Sequence, residues 1–300
     1  MRLELIPLVF ATLRLTTPIL LAALGGVFSY QVGLLNIALE GMMLLGAFAA
    51  VVLGHYLAST ALGVLAAMAA GALAALLFAF FVIRLRANLI VAGLALNLLA
   101  AGATAYALQV IFGVRGSFST QRIASLGRLE LPLVQDIPLL GPALSGHGPL
   151  VYLVWGLVIL TQVILYRTVF GLRLRSAGEH LEAALAAGIR ARRVQYTALL
   201  LSGALSGLAG AQLSLGDLTL FNENMTSGRG FMGLAAVFFG SGRPLPVALA
   251  ALIFGLFDAL QIRLQGLGVP PQMIQMLPYV VIVLALTADA LRRGSRGAAY

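Results

Sequence analysis

The sequence predicts an all-α integral membrane protein, a polytopic bundle of about eight to ten transmembrane helices in one domain over residues 1 to 300. Three observations predict it. Hydrophobic residues make up 61% of the chain and charged residues 10%, against roughly 25% charge in a soluble domain. The mean hydropathy is +1.01. Stretches such as 61 to 83 and 245 to 262 run the roughly 17 to 25 apolar residues that a helix needs to cross the hydrocarbon layer. They are too numerous for a signal peptide.

In chain order, the apolar runs predict spans at 5 to 30, 34 to 54, 60 to 83, 87 to 112, 150 to 167, 196 to 216, 230 to 241, 245 to 265 and 273 to 290. Arginines at 84 and 86, between 167 and 193, and at 292, 293 and 296 mark cytoplasmic segments by the positive-inside bias, so the C-terminus is expected inside. A Gly-, Pro- and Ser-containing external loop then occupies about 113 to 149, and a cytoplasmic loop about 168 to 195. The N-terminus lies outside if Arg14 belongs to one long first span, or inside if residues 3 to 13 form a separate segment.

Composition also excludes functions. All 19 basic residues are arginine, so the chain has no P-loop lysine and is no P-loop ATPase. There is no cysteine, and His55, His147 and His180 lack metal-ligand spacing, so no metal site is expected. The net charge of +9 sits beside spans rather than along an aromatic-interleaved patch, which argues against nucleic acid.

Small residues recur four apart, in Gly203 with Gly207, in Ser202 with Ser206 and Gly210, and in Ala67 with Gly71 and Ala75. Such ridges let helices approach closely within a bundle. Three polar clusters interrupt the apolar pattern. In the first, Asn36 and Glu40 share a helix face after a Gly33-Leu-Leu lead that permits a broken helix. An acid at mid-membrane costs about 2.5 to 3.5 kcal/mol on insertion scales, so Glu40 either bonds backbone amides near the break, favoured by a helix dipole, or contacts substrate.

The second cluster runs from Asp217 to Gly230 and reads either as a polar turn at the outer side or as a re-entrant gate. The third, from Gly171 to Ile189 and on to Arg190, Arg192 and Arg193, holds a short alanine-rich helix between glycines in a cytoplasmic loop. With little to bury on its own, that helix lies on headgroups or inserts into another protein's groove.

At these residues the chain resembles the permeases of ATP-binding-cassette importers of the branched-chain amino acid, ribose and nucleoside group. The resemblance covers nearly the whole sequence, through Pro18 to Gly26, Phe28-Ser29, Gly33, Asn36-Ile37 and Glu40 to Met43. It continues through Arg175 to Glu179, Ala183-Ala184, Gly188-Ile189 and Ser202 to Gly210. Asn224 to Thr226, Gly228 to Phe231, Ala235-Ala236, Phe239-Gly240, Phe254-Gly255 and Asp258-Ala259 resemble the nucleoside branch, the one linked to basic membrane lipoproteins.

The resemblance implies an inner-membrane complex that imports a small polar solute, a nucleoside on this branch, with sugars or branched-chain amino acids as alternatives. Its partners would be a second, paralogous permease, two cytoplasmic ATPase subunits that use ATP and Mg, and an external substrate-binding lipoprotein. The chain itself would bind no cofactor and would not be an enzyme. Arg175, Gly178, Glu179, Ala184, Gly188 and Ile189 would form the ATPase-coupling element. Asn36, Glu40, Asn97, Asn222, Glu223, Asn224 and Met225 are the expected path or gate residues.

An ion-coupled secondary transporter would need intramembrane acids and inverted repeats. Only Glu40 and Asp258 could serve, and no repeat is evident. A membrane enzyme lacks a constellation of nucleophile, acids or ligands. A channel lacks a visible ring of selectivity residues.

Overall fold

The computed structural model describes residues 5–123, 125–130, 141–216 and 219–264, with the single positions Met276, Val280, Val283 and Thr287. Its main helices are α1 (Leu5–Gln31), α2 (Leu39–Leu57), α3 (Thr60–Ala79), α4 (Leu89–Phe112), α5 (Pro149–Arg167), α6 (Val169–Glu179), α7 (Leu181–Ala186), α8 (Ala191–Leu215), α9 (Arg229–Phe239) and α10 (Pro244–Leu264). A π-helical turn, Phe80–Arg84, extends α3. Two short strands, β1 (Ser117–Ser119) and β2 (Leu220–Asn222), pair antiparallel with Phe118 opposite Phe221.

Among the described residues, seven helices are long and apolar enough to span a membrane: α1 to α5, α8 and α10. The predicted span at 230 to 241 is corrected: α9 has 11 residues, about 16 Å of helix, roughly half the hydrocarbon thickness. The span expected from residue 34 begins at Leu39, because Gly33 takes a left-handed φ of +73° and residues 32 to 38 leave the helix. The span at 273 to 290 falls outside the described residues apart from single positions. The alternatives at the N-terminus resolve to one helix, with Arg14 and Pro18 inside the 27-residue α1.

Local chemistry sets the helix ends. The Asn88 side chain accepts the amides of Ile90 and Val91 at the start of α4, and Gly113 closes that helix at φ +68°. Thr168 accepts the Gly171 amide at the start of α6.

The core centres on α8, which packs against α1, α2 and α3, while α1 also packs against α9 and α10. The predicted small-residue ridges meet one another here. A Cβ on Gly71 would strike the Gly203 carbonyl, and one on Gly207 would strike the Ala67 carbonyl. A Cβ on Gly210 would strike the Met43 carbonyl of α2. Helices that touch backbone to backbone gain dispersion contact without the water-driven attraction that a bilayer lacks. The opposite surface is apolar and open: Leu98, Tyr106 and Val110 of α4 are exposed, as a lipid-facing helix requires.

The bundle has two unlike ends. At one, the C-terminus of α1, the turn after α3, helices α6 and α7, the start of α8 and residues 240 to 243 gather with Arg86, Arg173, Arg175, Arg190, Arg192, Arg193 and Arg243. At the other lie the β1–β2 pair and the α2–α3 turn, where His55 meets Thr120 at 2.6 Å. Phe10 stacks on His147 at 4.0 Å, which ties the start of α1 to the segment before α5.

Gly207→Leu should therefore prevent folding or lower the melting temperature in detergent by several degrees, since overpacking against fixed backbone costs about 1 to 3 kcal/mol or more. Gly102→Ala on α4, whose added Cβ meets nothing within 4 Å, should leave the melt unchanged or slightly raised.

Candidate functional site

Two helices begin inside the bundle instead of at its surface, and their N-termini meet. Ser202 is about 16 Å along α8 from the arginine-rich end, and α9 rises about the same distance before reaching that end at Gly240 to Gly242. Both marks place the meeting point near mid-depth. From Phe221, which packs on Phe48 at 5.1 Å between ring centres, the turn-rich stretch 223 to 228 descends to it.

Glu40, in the first turn of α2, is the junction. Its carboxylate accepts the Gly228 amide at 2.8 Å and the Gly230 amide at 2.7 Å, the open donors at the start of α9. A Cβ on Gly230 would fall 2.6 Å from the Glu40 Cα, so glycine is what permits the approach. Two helix N-termini thus flank one carboxylate, each worth about half a positive charge. Beside it, Arg229 pairs with Asp258 of α10 at 3.1 Å. The net of these three charged groups is one negative charge, and the two helix ends offset about that much.

Two asparagines hold the break itself. Asn36 is fully buried, donating to the Ser202 hydroxyl at 2.9 Å while its oxygen accepts the Ala38 amide at 3.1 Å. Asn97 of α4 accepts the Gly41 amide at 2.8 Å and donates to the Ile37 carbonyl at 3.0 Å. Every free backbone group that these contacts reach is one that a lipid environment would leave unsatisfied.

Asn36, Glu40 and Asn97 are thus brought together, with their polar atoms engaged by protein. Asn222, Glu223, Asn224 and Met225 are not part of this group. Asn222 pairs across from Ser117, Glu223 exchanges two 2.8 Å bonds with Gly116, and Asn224 turns the chain at φ +56°. Met225 packs on the apolar cluster around Phe221. Ser202 and the Arg229–Asp258 pair complete the site, and neither was among the expected path residues. The signal available for the pair was a lone acid, Asp258, in an otherwise apolar stretch, and a single arginine closing the second polar cluster.

At the arginine-rich end, Gly178 lies so close to α1 that a Cβ would strike the Gln31 carbonyl and come within 3.0 Å of the Gly33 amide nitrogen. The Arg175 guanidinium sits 4.9 Å above the Tyr166 ring. Glu179 is exposed, whereas Ala184 is buried. Gly188, at φ +77°, ends α7 as the Ile189 amide bonds the Ala184 carbonyl, and Ile189 packs on the main core. Leu181 and Leu185 of α7 point outward and are exposed.

Residues 8–286 match the family described as branched-chain amino acid transport system / permease component. The chain belongs to this family. It is 39% identical, over 92% of its own length and 90% of the relative's, to guanosine ABC transporter permease protein NupQ of Bacillus subtilis (strain 168). It is 36% identical, over 90% and 89%, to nucleoside ABC transporter permease protein NupC of Lactococcus lactis subsp. cremoris (strain MG1363).

Among solved structures, an inward-facing metal-chelate type ABC transporter shares the fold, with a TM-score of 0.53 and 16% identity over 94% of this chain and 85% of that one. This permease is a multi-pass subunit of an ABC importer in the bacterial plasma membrane, a transport component by family.

Glu40→Ala would strand the buried Gly230 amide and the half-buried Gly228 amide, at about 1 to 3 kcal/mol for a fully buried group, so the permease should melt markedly lower in detergent, and Glu40→Gln should lie between. Uptake lost with an unchanged melt would instead assign Glu40 to substrate. For the ion pair, Asp258→Leu should cost about 3 to 5 kcal/mol, and adding Arg229→Met should recover most of it, as a double-mutant cycle on thermal melts would report.

Proposed function

We propose that this permease carries nucleosides inward, as one of two transmembrane subunits, with the arginine-rich end in the cytoplasm and the β1–β2 end outside. The observation that carries the substrate is the near full-length similarity to permeases named for guanosine and for nucleosides. The positive-inside bias supports the orientation. On it, the 113 to 149 segment faces an external binding lipoprotein, and the 168 to 195 loop faces the ATPase. A second permease, a paralogue of this chain, would complete the pathway. ATP and Mg would be used by two cytoplasmic ATPase subunits, and this chain would hold no cofactor.

In this reading α7 is the part the ATPase moves. Its outward Leu181 and Leu185 fit a groove, Ala184 and Ile189 seat it on the bundle, Gly188 ends it, and exposed Glu179 with Arg175 border the contact. Displacement of α7 passes to α6, and Gly178 bears on Gln31 and Gly33 at the end of α1. The next residues are the clamped break, Asn36 and Glu40, to which α9 is tied. A push at the cytoplasmic face therefore has a rigid, short route to a half-length helix at mid-depth.

Labelled guanosine or adenosine should enter proteoliposomes holding the permease pair, ATPase and binding protein only when ATP is supplied inside the ATPase compartment. ATPase stimulation by a binding protein of another specificity, without nucleoside uptake, would overturn the substrate and keep the importer. Glu179→Arg should leave insertion intact and lower binding-protein-stimulated ATP hydrolysis severalfold. Undiminished stimulation would remove Glu179 from the contact.

A further inference from the structure

A cleft of about 670 Å³ opens at the arginine-rich end between the α3–α4 turn, α7 and the start of α8. Arg86, Arg190, Arg192 and Arg193 line it, no acidic residue does, and among the described residues none of these four guanidinium groups has a carboxylate partner. Its other wall is apolar, formed by Leu34, Val82 and Ile83, while Leu181 and Leu185 of α7 close the cleft on the side proposed to meet the ATPase. We infer that this cleft binds an anionic phospholipid, with the phosphate on the arginines and the glycerol and upper acyl chain on the apolar wall.

Three observations favour a lipid over a soluble anion or a protein. The cleft sits at headgroup level, because Arg86 lies two residues beyond the span Thr60–Arg84, while Arg192 and Arg193 fall in the first turn of the span Ala191–Leu215. Val82 and Ile83 of its apolar wall belong to the membrane span Thr60–Arg84, and a phosphate-only site would not need such a wall. A second cleft of about 360 Å³, lined only by apolar residues including Leu77, Phe81, Val91 and Leu99, borders the same α3–α4 turn through Ala87 and offers an acyl chain a bed. The first turn of α8 adds a positive helix end to the arginine cluster.

Arg86 carries the sharpest signal. Its φ is +55°, a left-handed conformation that glycine adopts freely and a side chain with a Cβ resists, yet the position holds an exposed arginine. The π-helical turn Phe80–Arg84 immediately before it redirects the chain into this bend. Arg190 is likewise a poor N-cap for α8, where its side chain makes no capping bond.

These two positions give variants that remove charge without harming the fold. R86G relieves the backbone, and R190S supplies a better cap. The permease, purified with its partner subunits and exposed to equimolar phosphatidylglycerol and phosphatidylcholine, should retain phosphatidylglycerol preferentially by native mass spectrometry. That preference should fall about fivefold for each arginine removed, and about 25-fold in R86G/R190S, with the thermal melt in phosphatidylcholine unchanged.

Glycerol phosphate in solution should fail to displace the lipid, and displacement would mean that the cleft takes free phosphate. Equal retention of the two lipids by the unmodified protein, or an unchanged preference in the double variant, would overturn the inference. So would loss of ATPase association with the lipid preference intact, which would assign the cleft to the protein partner.

Discussion

A carboxylate at mid-depth in a membrane must find its donors inside the protein, and Glu40 finds them at the start of a distant helix, in amides 188 and 190 residues later in the chain. Those amides have the matching need, since the first turn of any helix leaves N–H groups unpaired and hydrocarbon cannot supply acceptors. One contact therefore settles two unfavourable features at once. It also fixes where α9 can begin, and so why that helix is only half as long as a span. Remove the acid and the start of α9 would have to move toward water at one end or the other.

That junction is possible only because glycine lets main chains touch around it. Gly230 admits the Glu40 backbone, Gly41 admits Asn97, and the Gly71, Gly203, Gly207 and Gly210 ridges seat α8 against α2 and α3. The hydrophobic effect cannot hold these helices together in lipid, so packing and interhelical hydrogen bonds carry the association. The Asn36–Ser202 and Asn97–Gly41 bonds are examples that both specify register and satisfy the unwound backbone. The polar residues of this core are first of all the glue of a broken-helix fold.

Composition and hydrophobic periodicity made the membrane class legible, and the α3, α4 and α5 spans fall within a residue or two of their expected ends. The Gly33 break and the small-residue ridges were legible as local features. Their partners were not: nothing in the spacing of Glu40 indicates that its amides lie in Gly228 and Gly230. The 230 to 241 run looked like a span because apolar composition does not report depth, and only the carboxylate that caps α9 shows where it starts. The expected gate at Asn222 to Met225 was legible as polar, but its pairing with residues 116 to 119 depends on strand register across about a hundred residues.

The charge balance at the junction bears on how such a site could move. Glu40, Arg229 and Asp258 leave one negative charge, and the two helix ends that compensate it belong to different elements, α2 and α9. Separating α9 from α2 would expose a nearly bare carboxylate and a set of unpaired amides together, so small displacements are resisted and the pair tends to travel as a unit. Gly178 touches the same chain segment from the arginine-rich side, one helix end away from the break. A shift of α6 would then move α2 and α9 jointly against α8, along a contact made of glycine and small residues that has few side chains to unlock. Stiff coupling at the acid and smooth sliding at the ridge are complementary requirements for a bundle that must change shape without opening its backbone to lipid.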